Sequence, residues 1–114
     1  MKQLTDREKQ IKLIAQFLMD EYNVGHLNLV FRKMTRTMGQ FSARKRKIQL
    51  STYFIRVKSY RIMINTILHE IAHALTPTHG HDLVWKAKAI EVGALPRATA
   101  NDTQRLQWIE RETK

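Results

Sequence analysis

The sequence predicts an α+β domain, on three observations. Apolar residues recur at helical spacing behind capping residues at the start of the chain and again in its middle. Between them lie runs of alternating polarity joined by a polar turn. The second long helix carries His69, Glu70 and His73 in the spacing HExxH. The expected order is an N-terminal helix, a small three-stranded sheet with a basic hairpin, a metal-binding helix and a following helix. With 114 residues and 43% hydrophobic content, residues 1–114 make one domain around one modest core, about 5–95, with 96–114 as a C-terminal extension.

Thr5 and Glu8 have the spacing of a capping box, and Ile11, Ile14, Ala15, Leu18 and Tyr22 follow at helical intervals. A first helix is expected from about Asp6 to Tyr22, broken by Gly25. Leu27, Leu29 and Phe31 then alternate with His26, Asn28, Val30 and Arg32 as a strand does, with His26 a strand-edge residue. Met38–Ser42 and Lys47–Ser51 read as a hairpin around Ala43–Arg46, with Ile48 and Leu50 pointing inward and Gly39 marking a bulge or a close backbone approach. Tyr53, Phe54 and Ile55 form an apolar connector. Ser59 caps a helix over about 59–75 that Pro77 ends. On it Ile64, Ile67, Ile71 and Ala74 fall opposite the histidines, while Asn65, Thr66 and Thr76 share the histidine side, so the polar stripe should face a cleft. A further helix begins at His81 or Asp82 and stops at Gly93, with Leu83 or Val84, Ala87 and Ile90 as its apolar side. Asn101 or Asp102 caps a last short helix carrying Leu106, Trp108 and Ile109.

Residues four apart stand above one another on a helix, so His69 and His73 can grip one ion. Glu70 lies about 100° round from His69, beside the ion without ligating it, where a general base would act on a water activated by zinc. With no cysteine in the chain, disulfides, zinc ribbons and thiol nucleophiles are excluded and any metal must be held by histidine and carboxylate. The third ligand lies downstream. His79 has the spacing of HExxHxxGxxH, but Thr76 stands where that pattern needs glycine, and no methionine follows Met63 to make a Met-turn. His81, from which an imidazole can point back across a short loop, is the favoured third ligand. Glu91 is the carboxylate alternative. Trp85, four residues after His81, is expected to pack between the two helices, and His79 to stand near the ligands or meet the transition state. Tyr53, Tyr60 and His79 are unranked as second oxyanion donors.

The net charge of +10 has one source. No acidic residue occurs between Glu21 and Glu70, and that span holds ten of the 20 Lys and Arg: Arg32, Lys33, Arg36, Arg44, Lys45, Arg46, Lys47, Arg56, Lys58 and Arg61. Such a block is the footprint of a surface that meets phosphates, so DNA is the expected partner, through Arg32, Lys33, Arg36 and the run Arg44–Lys47 in particular. No apolar run is long enough to cross a bilayer and Met1–Gln10 is polar, so a cytoplasmic, DNA-associated protein without membrane contact is expected.

HEIAH, a short loop, and then GHDLVW with a helix ending at Gly93 resemble the SprT-like zinc metallopeptidase domain, whose pattern is HExxH, a variable loop, and GH with an aromatic residue four positions on. Phe31–Ser51 also looks like that family's strands ahead of the metal helix, and the resemblance covers about residues 23–93. It implies a zincin-like fold, Zn²⁺ held by His69, His73 and His81, and Glu70 as catalytic base in peptide-bond hydrolysis. Family members include DNA-dependent proteases of proteins crosslinked to DNA, which suits the basic block. Many also carry a C-terminal cysteine zinc ribbon or another DNA-binding module that this chain lacks, so nucleic-acid dependence would reside in the basic hairpin or be absent. The neighbouring YgjP-like hydrolases share a similar metal pattern, which leaves a small phosphorylated substrate as one alternative; a non-catalytic DNA-binding module in which zinc is structural or lost is another.

Overall fold

A computed structural model describes residues 3–96. The expected last helix, with Leu106, Trp108 and Ile109, lies outside the described residues. Helix α1 spans Asp6–Glu21, and its capping box forms: Thr5 Oγ1 accepts from Glu8 N at 3.1 Å and Glu8 Oε1 accepts from Thr5 N at 2.9 Å. Ile11, Ala15 and Met19 form its fully buried line, with Ile14, Leu18 and Tyr22 packed beside them. Gly25 is not what ends it. Asn23 takes the left-handed conformation (φ 64°) and Val24 N donates back to Met19 O at 2.8 Å, a Schellman closure. Gly25 serves the close return of the chain instead, since a Cβ there would sit 1.9 Å from Asp20 Oδ1.

Strands β1 (Asn28–Arg32), β2 (Gly39–Ser42) and β3 (Lys47–Ser51) form one mixed sheet in the order β1-β3-β2. The expected hairpin is β2–β3, with Phe41 opposite Ile48 and Gly39 opposite Leu50. β1 pairs in parallel with β3, Leu29 beside Ile48 and Phe31 beside Leu50, so the chain crosses the end of β3 between β1 and β2. Ser51 secures that crossing: its N–H donates to Met38 O at 2.9 Å and its hydroxyl to Met34 O. The same hydroxyl accepts from Phe54 N and caps a short helix, α2 (Thr52–Val57), where the sequence reading has only a connector. Six residues are too few to display a period, so the cap was the only cue.

Helix α3 (Tyr60–Leu75, capped by Ser59) is the centre of the molecule, packed by α1, the sheet and α4 (Leu83–Val92). It is buried nearly all round through its middle, so the simple two-sided reading is corrected. Ile67 and Ile71 enter the core as expected, but Asn65 and Thr66 are buried too. Asn65 is satisfied by Leu95 N at 2.9 Å, and the Thr66 hydroxyl donates to Ile62 O at 3.0 Å. The inward face of α4 is corrected as well. Trp85, Ala89 and Val92 are buried, whereas Leu83, Val84 and Ile90 are exposed. Apolar residues surround α4, so the largest ring sets its rotation. Gly93, at φ 89°, closes it as expected.

Candidate metal centre and cleft

α3 sets His69 and His73 one turn apart, and the loop before α4 brings the third imidazole to them. His81 precedes α4 rather than beginning it, because Asp82 is the N-cap, its Oδ1 accepting from Trp85 N at 3.0 Å. His81 Nε2 lies 2.9 Å from His73 Nε2 and 3.2 Å from His69 Nε2. Tetrahedral zinc with Zn–N bonds of about 2.0–2.1 Å holds its nitrogens about 3.3 Å apart. The donor set therefore fits such an ion to within a few tenths of an ångström. Among the described residues these three are the group of histidines and carboxylates able to hold a metal ion. Glu91, the carboxylate alternative, is exposed on α4 and pairs with Lys88 at 2.7 Å. Burial pushes the His73 imidazole down to about 4, with the charge of His81 adding to the effect. At neutral pH its ring is therefore uncharged, with a lone pair to offer a cation.

The imidazoles open onto a cleft of about 400 Å³ between α3 and the β2 edge of the sheet. Residues 36–41 and Ala43 form one wall, and Thr66, His69, Glu70, His73, Pro77, His79 and His81 the other. Glu70 is buried on that wall. Above it, Gly39 makes the close approach that was one of its two sequence readings: a Cβ there would stand 2.9 Å from Thr66 Cγ2 and 3.2 Å from Glu70 Cγ. That β2 walls the cleft was not anticipated, because strand order is a property of pairing and not of local pattern.

Of the three side chains weighed as a second oxyanion donor, His79 alone lines this cleft. Its Nδ1 donates to Asp82 Oδ2 at 2.7 Å, a bond that holds the Asp82 carboxyl below its ordinary range, helped by the Trp85 N–H. Asp82 was read as a possible start of α4 but not as the partner of His79, although its place three residues after that histidine was a usable cue. Tyr60 instead gives its hydroxyl to Gln10 and lies under Arg7, while Tyr53 packs edge-on to Phe54. Trp85 is wholly buried against all three imidazoles.

The basic block is distributed over three stretches of the chain. Arg32, Lys33 and Arg36 stand where the chain crosses from β1 to β2, and Arg44, Lys45 and Arg46 occupy the β2–β3 turn, with Lys47 opening β3. The two groups therefore sit at opposite ends of β2. Arg56 lies on α2, and Lys58 and Arg61 fall around the start of α3. Among the described residues, none of these ten has a carboxylate within ion-pair distance.

Residues 7–105 match the model of the SprT-like family. The chain belongs to the SprT-like family. No curated protein matches it in sequence. Two crystal structures of metallopeptidase zymogens share its fold. Jannalysin of Methanocaldococcus jannaschii aligns over 90% of this chain and 96% of its own, with a TM-score of 0.66 at 19% identity. Abylysin of Pyrococcus abyssi aligns over 90% of each chain, with a TM-score of 0.63 at 16% identity. By family this SprT-like chain is a metallopeptidase, and the α+β architecture agrees.

Proposed function

We propose that this SprT-like chain is a zinc-dependent peptidase acting on proteins held on DNA. The observation that carries the reading is the convergence of the His69, His73 and His81 Nε2 atoms on one point of a cleft that also contains Glu70. Three imidazoles at an open cleft are a catalytic donor set, whereas structural zinc is closed by four protein ligands. Zinc bound there supplies a Lewis acid, polarising the scissile carbonyl and lowering the pKa of water. Glu70 takes a proton from the attacking water and delivers it to the departing amine nitrogen, while its burial keeps bulk water from competing for that proton. Among the described residues β2 is an edge strand with a neighbour on one side only, and its residues wall the cleft. An extended peptide laid beside it can use its backbone groups, which suits a protein substrate better than a small phosphorylated one.

Support for DNA comes from charge and position. The two basic groups flank the strand that walls the cleft, and Arg36 reaches the cleft itself. Phosphates held at either end would keep a DNA-bound protein beside the site.

The test is metal content together with proteolysis of a DNA-binding protein, with and without DNA and with and without a chelator. We expect one equivalent of zinc and chelator-sensitive cleavage that DNA stimulates. Glu70→Gln should keep the zinc and lose cleavage by at least about 100-fold, the scale of a missing general base. Cleavage persisting in the zinc-loaded Gln variant would rule out this role for Glu70.

A further inference from the structure

We propose that Trp85 is the positioning residue of the metal site, the ring against which the three imidazoles are assembled before an ion arrives. This rests on reading His69, His73 and His81 as that site. The indole is fully buried, and its ring centre lies 4.7 Å from that of His69, 5.1 Å from that of His73 and 4.7 Å from that of His81. It stacks on His73 at 26° between planes and meets His81 edge-on at 82°. One side chain thus touches every member of the donor set.

The need for such a ring follows from where the histidines come from. His69 and His73 are tied to each other by one turn of α3, but His81 lies in the loop between α3 and α4, eight residues after His73. A loop imidazole left to itself would sample several rotamers, and ordering it would weaken metal binding. Trp85 is anchored close by, because Asp82, next to His81, accepts from Trp85 N and starts α4. The indole then fills the space behind all three rings, leaving their Nε2 atoms turned together at 2.9 and 3.2 Å. Its own N–H makes no hydrogen bond to a described residue. What the ring contributes is therefore its face and edges, through aromatic packing that an aliphatic side chain of similar bulk does not reproduce.

The experiment compares the full chain with Trp85→Phe, Trp85→Leu and Met19→Ala, the last emptying a fully buried position on α1, a helix that carries none of the three ligands. Zinc dissociation constants are measured by competition with a chromogenic chelator, alongside the thermal midpoint of the metal-free protein. Trp85→Leu should weaken zinc binding about 10- to 100-fold, the usual effect of removing a group that orients ligands. Trp85→Phe should recover most of that loss, and Met19→Ala should lower the midpoint while binding zinc as the unaltered chain does. Unchanged affinity in Trp85→Leu overturns the proposal, and so does an equal loss in Met19→Ala, which would make the effect one of general stability. Should Trp85→Leu not fold, the emission of Trp85 in a Trp108→Phe chain decides. It should change on adding zinc and saturate at one equivalent, and emission indifferent to bound zinc overturns the proposal. An unaltered chain that takes up no zinc is a different failure, removing the site and not the role of Trp85 within it.

Discussion

The proton affinity of His73 is pushed down to about 4 by burial and by His81. The sign of the consequence follows from proton counts. Between pH 4 and the ordinary histidine value near 6.5, the folded chain leaves this ring neutral while the unfolded chain protonates it. The unfolded state therefore binds more protons across that window, and the metal-free protein should lose stability as the pH falls from about 6.5 to 4, with no further loss from this group below 4. Denaturant unfolding of the metal-free chain at a series of pH values measures it. His73→Gln should flatten that part of the profile, and an unaltered slope would assign the effect elsewhere. The HExxH spacing was legible because helical geometry is local. His81 could be favoured over His79 only by arguing about a loop, and the Nε2 distances depend on a ring, Trp85, placed by a different helix.

Between elements, the closest fit is where β2 meets α3. Gly39 lets the strand come down on Thr66 and Glu70, and an added methyl must move the strand or displace Thr66, with Glu70 next in line. Gly39→Ala should cost about 1–3 kcal/mol, the range for an overpacked contact. It should reduce kcat by a larger factor than KM changes, because an ångström of misplacement at a reacting group can cost about 100-fold. Thermal unfolding and steady-state proteolysis separate the two effects, and an Ala variant of ordinary activity would mean that Glu70 does not depend on this approach. The same scale shows which elements could be read in advance. α1 and α3 announced themselves through Thr5 with Glu8 and through Ser59, the hairpin through its alternation. α2 was too short, and α4 too apolar on every side, for periodicity to give the right answer.

Across the whole molecule, seven of the ten cations of the acid-free span stand in two groups at the ends of β2. Replacing Arg44, Lys45 and Lys47 by Gln and Arg46 by Asn removes four charges, while Asn tolerates the left-handed conformation that Arg46 adopts at φ 53°. DNA affinity should fall, and the slope of log K against log salt should shrink by about 0.9 for each phosphate that the turn no longer neutralises. Filter binding or fluorescence anisotropy at several salt concentrations reads both. An unchanged slope would show that the turn does not meet phosphate.

Local rules alone determined much of this protein: two capped helices, a hairpin, a pair of histidines one turn apart with a glutamate beside them, and a long span without a carboxylate. Those depend on neighbours within a few positions, where backbone geometry and side-chain chemistry leave few choices. Tertiary structure decided the rest. That β1 joins β3, that β2 walls the cleft, that α4 turns Trp85 inward and that His81 reaches α3 are outcomes of packing between distant segments, which compete for the same buried space and are settled only when all are present.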